Sequence, residues 1–216
     1  MVTKSSLSHP ISILENVPSK ESFKKLCKAK IISYWENKVR GESALLPSWQ
    51  YFHLQLMHLT KPHPIWATAG SNPYEISKAI QQAHFLSGRY KSANLMRHWA
   101  ANKNGFCLAP TCQNTVESLE HILVHCKAYT ESKARLYSLW LSTQNKVVFN
   151  LVIEALSNET EYLVQFLIDC SVLPSVVKAT QEHGDVILNE LFYLTRSWCF
   201  AIHKQRMKIL GRWNFQ

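Results

Sequence analysis

The sequence predicts a mainly α-helical fold that carries one short Cys/His-rich segment. Glycine is scarce, with six in 216 residues, and no pair of alternating β-type runs is joined by a hairpin turn. Apolar residues instead recur three and four positions apart, as in helices with one buried face. The hydrophobic fraction of 46%, with seven Trp, nine Phe and eight Tyr, supports a substantial core and excludes a disordered chain.

The N-terminal part is predicted to begin with a polar lead-in over residues 1–18. Ser19 is a good N-cap for a first helix over residues 20–39. The apolar residues at helical spacing in this helix are Phe23, Leu26, Cys27, Ile31, Tyr34 and Trp35. A second helix is predicted over residues 49–59, and the prolines and glycine of residues 61–73 indicate an irregular connector.

The clearest helix start follows this connector. Asn72 is a good N-cap, Pro73 suits the first helical position, and Glu75 completes a capping-box arrangement. Gly88 is a good C-cap residue. The predicted buried stripe is Ile76, Ala79, Ile80, Ala83 and Leu86.

A short basic helix is predicted from Ser92, with Leu95 and Met96 facing inward. Four more helices are predicted over residues 131–143, 146–157, 159–170 and 185–210. The core residues expected from the last one are Leu191, Phe192, Trp198, Ile202 and Leu210. The chain thus divides into a lead-in (1–18), a basic helical region (19–104), a Cys/His segment (105–130) and a C-terminal helical region packing on the rest (131–216).

The net charge of +9 is unevenly distributed. Residues 1–106 hold 14 Lys and Arg against 5 Asp and Glu, whereas residues 107–184 hold 5 against 8. A clustered basic surface is the footprint of phosphate contacts, so RNA or DNA is the expected partner. The alternative interpretation is a surface that serves solubility.

The first residues, MVTKSSLSHPISIL, lack the apolar core of a signal peptide. No uninterrupted apolar run reaches the ~18–20 residues of a membrane span. The sequence therefore predicts an intracellular, nuclear protein with no membrane partner and no small-molecule substrate. In a reducing compartment, clustered cysteines more often bind metal or act in catalysis than form disulfides.

The Cys/His segment has the spacing Cys107-x4-Cys112-x8-His121-x4-Cys126. Zinc takes four sulfur and nitrogen ligands in a tetrahedron, so the predicted fold is a helical domain with a small embedded CCHC zinc-binding knuckle. Residues 115–126 are predicted as a short helix capped by Asn114 or Thr115. Four protein ligands leave no open coordination position, so the zinc is expected to be structural.

The fourth ligand is open on helical geometry alone. His121 and His125 are four residues apart and share a helix face, whereas Cys126 lies about 140° around the helix from His121. Cys126 reaches the metal only if the helix ends or unwinds there. A thiolate binds zinc more tightly than an imidazole, which favours Cys126 over His125.

The residues of common catalytic sites are absent from the sequence. Its two aspartates, Asp169 and Asp185, are sixteen residues apart, and neither a GxxxxGK nor a GxSxG motif occurs. The remaining cysteines lie in apolar helical contexts that favour inert buried thiols; they are Cys27, Cys170 and Cys199. The sequence therefore predicts a protein that is not an enzyme.

The run AIQQAHFLSGRYKSANLMRHWAANKNGFCLAPTCQNTVESLEHILVHCKAY resembles the C-terminal zinc-binding region of non-LTR (LINE-type) retrotransposon reverse transcriptases. The shared features are an arginine-containing lead-in, a cysteine pair, an acidic spacer that ends in histidine (TVESLEH), and a final cysteine. The flanks SYWENKVRGESALLPSW and LFYLTRSWCFAIHKQRMKILGRW are also similar. The family more often spaces the cysteine pair by two or three residues, against four here.

The resemblance implies zinc binding by Cys107, Cys112, His121 and Cys126, with His125 as a bystander. It also implies a nucleic-acid-handling tail without the polymerase aspartates. The expected contact residues are Arg89, Tyr90, Lys91, Arg97, His98 and Lys103. Tyr90 and Trp99 are expected to stack on bases, with core packing as the alternative for both. The alternative function is a protein-interaction domain that docks on a reverse transcriptase core, with zinc purely structural.

Overall fold

The computed structural model describes residues 19–43, 49–53, 61–96 and 104–211. This part of the chain is mainly helical; its β-structure is one isolated antiparallel bridge between Phe106 and Val116. The chain divides into two compact units, Met1–Leu45 and Leu46–Gln216. The Cys/His segment and the C-terminal helices belong to the second unit.

Nine α-helices occur in the described residues. They are α1 (Lys20–Ser43), α2 (Pro64–Ala67), α3 (Pro73–Leu86), α4 (Ala93–Met96), α5 (Thr130–Leu141), α6 (Lys146–Ser157), α7 (Thr160–Asp169), α8 (Pro174–His183) and α9 (Val186–Ile209). Single 3₁₀ turns cover Pro110–Cys112, Lys127–Tyr129 and Cys170–Val172, and one π-helical turn covers His121–His125.

Helix α1 begins as predicted and ends four residues later than predicted. The Ser22 N–H donates to Ser19 Oγ at 3.2 Å, which is the expected cap. The apolar residues at helical spacing do not form a buried face; about half of each side chain is exposed in Phe23, Leu26, Ile31, Tyr34 and Trp35. Lysines alternate with these residues around the helix, so no continuous apolar stripe exists.

The helix predicted over residues 49–59 is absent from its described part, since residues 49–53 form a turn in which the Phe52 N–H donates to the Trp49 carbonyl. Residues 54–60 lie outside the described ranges. The connector contains the short helix α2, which the prediction missed. Pro64 occupies its first position, and His63 Nδ1 accepts the Ile65 N–H at 3.1 Å.

Helix α3 confirms the predicted start, since the Tyr74 N–H donates to Asn72 Oδ1 at 2.9 Å. The predicted capping box does not form: the Glu75 carboxylate binds Lys78 Nζ at 2.7 Å and Arg196 of α9. The buried face is also rotated, because Ile80 is exposed while Gln82 is buried. Gln82 Nε2 donates to the Leu167 carbonyl at 2.9 Å and to Thr195 Oγ1 at 3.0 Å.

The predicted C-terminal helices are confirmed as α5, α6, α7 and α9, each within two residues of its predicted ends. Helix α8 was missed; Pro174 reads as a breaker in the sequence but occupies the first helical turn. Helix α9 packs against α3 and α5 to α8. Four of its five predicted core residues are buried, namely Leu191, Phe192, Trp198 and Ile202, whereas Leu210 is partly exposed.

One segment, Thr160–His183, is long and apolar enough to cross a membrane by length and composition. The sequence prediction that no segment could do so is therefore too strict. The segment comprises α7, a 3₁₀ turn and α8. Of its apolar window, 61% is buried inside the protein, as in the core helices of a soluble protein.

Candidate metal centre

The first half of the Cys/His segment is a tight loop closed by backbone hydrogen bonds. The Cys107 N–H donates to the Thr115 carbonyl at 2.8 Å, and the Glu117 N–H donates to the Gly105 carbonyl at 2.9 Å. Pro110 starts the 3₁₀ turn that ends at Cys112. The two cysteines are therefore held on one side of the loop.

The second half is helical over fewer residues than predicted. Asn114 has a left-handed backbone (φ 58°), and Val116 pairs with Phe106, so neither Asn114 nor Thr115 caps a helix. Ser118 does so instead, because its Oγ accepts the His121 N–H at 3.2 Å. The predicted cap is wrong because the bridge to Phe106 keeps this stretch extended.

A π-helical turn decides which residue lies beside His121. The Cys126 N–H donates to the His121 carbonyl at 2.6 Å, a hydrogen bond between residues five apart, and Cys126 itself is extended (φ −60°, ψ 117°). A wider turn brings the fifth residue back toward the first. The helix therefore unwinds and ends at Cys126. The sequence analysis had predicted that Cys126 could reach the metal only in this case.

Four ligand atoms converge where the two halves meet. The Cys107, Cys112 and Cys126 sulfurs and a ring nitrogen of His121 all lie within 4.8 Å of one another. Cys126 Sγ is 3.9 Å from Cys107 Sγ and 3.6 Å from Cys112 Sγ. Sulfurs bound tetrahedrally at about 2.3 Å from zinc are about 3.8 Å apart. A disulfide would need about 2 Å, and the cysteines are free.

His121 supplies a polar atom that the protein leaves unsatisfied. Its side chain is buried, and Nε2 has no hydrogen-bond partner. A buried polar atom without a partner costs about 1–3 kcal/mol. Coordination of a metal ion removes that cost, so these four residues could hold one.

His125 is not part of this cluster. Its side chain is exposed and lines an open cavity of about 420 Å³ together with His121, Lys127 and Cys112. The sequence analysis favoured Cys126 over His125 because a thiolate binds zinc more tightly, and the cluster contains Cys126; an undistorted α-helix would have favoured His125.

Burial controls the protonation of the cluster. It raises the pKa of Cys107, raises that of Cys126 to about 12, and lowers that of His121. Cys112 differs: burial raises its pKa, but donors to its sulfur, the Thr111 hydroxyl first and then the Lys127 and Ala128 N–H groups, leave it lowered. A metal ion binding here would displace thiol protons and find His121 neutral, the state that binds metal.

Lys133 of α5 contacts the backbone at the end of the π-turn that carries Cys126. No sequence motif marks this lysine, so it was not predicted. Its buried ammonium group donates to the Cys126 carbonyl at 3.0 Å and also to the Val124 carbonyl. It thereby satisfies carbonyls that the end of the π-turn leaves free. Burial lowers the pKa of Lys133, and the negative charge that Cys126 and Cys112 carry when deprotonated opposes that shift.

A buried ion pair joins the loop to α9. Arg206 donates from Nε and from a terminal nitrogen to the two Glu117 oxygens, at 3.0 and 2.9 Å. Glu117 also accepts the Ala93 N–H at the start of α4. The Arg206 guanidinium lies 5.5 Å from the Tyr90 ring centroid. The Glu117–Arg206 ion pair therefore connects three parts of the protein: the Cys/His segment, the basic segment around Tyr90, and α9.

The expected nucleic-acid contacts fall into three groups. Arg89 and Lys91 are exposed. Tyr90 is 4% exposed and stacks on Phe85 with ring centroids 3.8 Å apart. Its hydroxyl oxygen is 3.3 Å from His203 Nδ1. The expectation that Tyr90 stacks on a base is therefore wrong, since its ring faces are covered by protein. Arg97, His98, Trp99 and Lys103 lie outside the described residues.

The three cysteines outside the cluster differ in how deeply they are buried. Cys170 and Cys199 are fully buried, and burial raises the pKa of both. These two are inert core cysteines, as predicted. Cys27 of α1 is only half-buried.

Comparisons with protein-family models, curated proteins and solved structures found no match to this chain. The fold and the site define a helical protein with a cluster of three cysteines and one histidine that could bind a metal ion. The resemblance to reverse transcriptase tails stays a prediction.

Proposed function

We propose that this chain is a non-catalytic nucleic-acid-binding module whose loop is held by a structural zinc ion. The observation that carries the metal assignment is the buried tetrad of Cys107, Cys112, His121 and Cys126, with its unsatisfied His121 Nε2. Three thiolates and one imidazole are a ligand set that favours zinc over the oxygen-seeking Mg²⁺ and Ca²⁺.

The nucleic-acid assignment rests on charge placed next to this loop. Arg89 and Lys91 are exposed and flank the buried Tyr90, which anchors them to α9 through Arg206. A rigid support lowers the entropic cost of presenting two cations to a phosphate backbone. Arg97, His98 and Lys103 follow in sequence and are proposed as further contacts.

The resemblance adds a biological setting to this proposal. It suggests that the module is the post-polymerase tail of a non-LTR element and grips template RNA or target DNA, in the nucleus. The buried tetrad leaves no free coordination position for a substrate, which supports a structural rather than a catalytic metal.

The metal assignment is tested by measuring zinc in purified protein by atomic emission. Wild type should carry one zinc per chain, whereas Cys126→Ser and His121→Ala should lose most of it. His125→Ala is the matched control, because His125 is exposed and outside the tetrad; it should retain zinc. If His125→Ala lost zinc and Cys126→Ser kept it, the proposed ligand set would be wrong.

The nucleic-acid assignment is tested by titrating labelled RNA and DNA at several salt concentrations. Reversal of Arg89 and Lys91 to Glu should weaken binding and reduce the slope of log affinity against log salt by about 0.7–0.9 for each phosphate that the protein no longer neutralises. The control reverses Lys146 and Lys178, which are exposed elsewhere and change the net charge equally. Salt-independent binding of the wild type would contradict the proposal.

A second candidate function is docking on a reverse transcriptase core, and α1 is the observation that favours it. The half-exposed Phe23, Tyr34 and Trp35 are an unusual surface for a helix that needs no partner. The two functions differ in a simple measurement. A protein that ignores nucleic acid but forms a complex with a polymerase domain, abolished by substitution of Tyr34 and Trp35, would support docking.

A further inference from the structure

The solvent-facing side of α9 carries aromatic and basic residues in one line. Tyr193, Phe200, Lys204 and Lys208 are spaced seven, four and four residues apart, so they lie on one face of the helix. Tyr74 of α3 joins this face, because its ring meets that of Phe200 edge-on with centroids 5.5 Å apart. We refer to these five residues as the α9 strip.

The two tyrosine rings of the α9 strip are held in place from beneath. The Lys78 ammonium group lies 4.7 Å from the Tyr74 ring centroid and 5.1 Å from that of Tyr193. Lys78 is itself fixed by Glu75 at 2.7 Å and by Ser197 at 3.3 Å. Tyr74 remains 54% exposed and Tyr193 45% exposed. Each ring therefore has a supported side and a side open to solvent.

The lower half of the strip is cationic. Lys204 lies 5.8 Å from the Phe200 ring centroid, and Lys208 is exposed one turn further on. Lys204 and Lys208 also line an open groove of about 280 Å³ with Arg135 of α5. The acid in that groove, Glu131, is paired with Arg135.

We propose that the α9 strip binds single-stranded nucleic acid, with Tyr74 and Tyr193 stacking on bases and Lys204 and Lys208 contacting phosphates. Surfaces that bind single strands combine aromatic rings with a basic track, because every base offers a ring face and every nucleotide a phosphate. From Tyr193 to Lys208 the strip runs about 22 Å along the helix axis, enough for several nucleotides. This inference rests on the proposed nucleic-acid function and names a second contact surface for it.

The stacking part is tested on the full zinc-loaded chain by fluorescence anisotropy. The probes are labelled uridine and thymidine dodecamers and a duplex of equal length. Tyr74→Ala with Tyr193→Ala should weaken binding to the single strands about tenfold or more. Tyr74→Phe with Tyr193→Phe keeps the rings and should stay within about twofold of wild type. Circular dichroism melts should show that both pairs are folded.

The electrostatic part uses a charge-matched comparison. Lys204→Glu with Lys208→Glu should lower the salt slope for single strands by about 0.7 for each phosphate that the strip no longer neutralises. Lys146→Glu with Lys178→Glu changes the net charge equally, away from the strip, and should leave the slope unchanged.

The outcomes separate this inference from the proposed function. If wild type binds single strands and the Ala pair binds equally well, the inference is overturned while the proposed function stands. Equal weakening of single-strand and duplex binding by the Ala pair also overturns it, since stacking requires unpaired bases. If wild type binds none of the probes, both the proposed function and this inference are wrong.

Discussion

Helices α1 and α9 have the same length, 24 residues each, and both carry aromatic and basic residues. Ten residues of α9 are buried, whereas no described side chain of α1 is. The difference lies in arrangement. In α9 the large apolar residues share a wide face that neighbouring helices cover, and in α1 lysines interrupt every such face.

The two helices show that helical spacing predicts a helix more reliably than it predicts what covers it. The spacing of Phe23, Ile31 and Tyr34 was sufficient to place α1. It did not indicate whether another surface lies on those residues, because that depends on residues distant in sequence. α9 is stabilised by its contacts with α3 and α5 to α8, and the described stabilising feature of α1 is its Ser19 cap.

Removal of the metal should have the largest effect on stability, and it should destabilise α9 more than α1. Chelation of zinc should destabilise the second unit by at least about 4 kcal/mol, the stabilisation from a ligand at a thousand times its dissociation constant. Trp198 of α9 donates to the Leu123 carbonyl in the Cys/His segment, so loss of the metal should also destabilise α9. Hydrogen exchange followed by mass spectrometry should show faster exchange in α9.

The control for this prediction is α1 itself, whose amides should exchange rapidly with or without metal, because few buried contacts protect them. Unchanged α9 protection after chelation would show that the metal loop and α9 are not coupled.

Truncation of one tryptophan in each helix should give the next largest contrast. Trp198 is fully buried and packs against Trp140, with ring centroids 4.7 Å apart. Trp198→Ala should lower the free energy of unfolding by about 3–5 kcal/mol. Trp35→Ala in α1 should lower it by less than about 0.5 kcal/mol, since half of that side chain is exposed. Urea titration measures both; equal losses would mean that α1 is covered in solution.

An effect of pH is expected through His203 of α9. Burial, with Arg206 and His84 nearby, lowers the pKa of His203 to about 4, against about 6.5 in the unfolded chain. The unfolded state therefore binds the proton first, and the stability that His203 contributes is lost as pH falls from about 6.5 to 4. His203→Gln should flatten this part of the stability profile relative to wild type. An unchanged profile would show that His203 is not buried in its neutral form.

Parts of the fold were predictable because their signals are local. The starts of α1 and α3 follow from Ser19 and Asn72, whose side chains cap the first turn wherever the helix packs. Helix α8 was missed because Pro174 carries the same local signal at a helix start as at a break. The capping box failed because Glu75 pairs with Lys78, three residues further on, and also with Arg196, 121 residues away.

The sequence by itself determined the residue types and spacing of the Cys/His cluster and the helical class, since these depend on local chemistry and periodicity. Only the tertiary structure showed how Cys126, which the sequence already favoured over His125, reaches the cluster: a π-turn ends the helix there. It also decided that Tyr90 belongs to the core, since Phe85 and Arg206 cover its ring. The contact between Arg206 and Tyr90 joins residues far apart in the chain, and no local pattern records it.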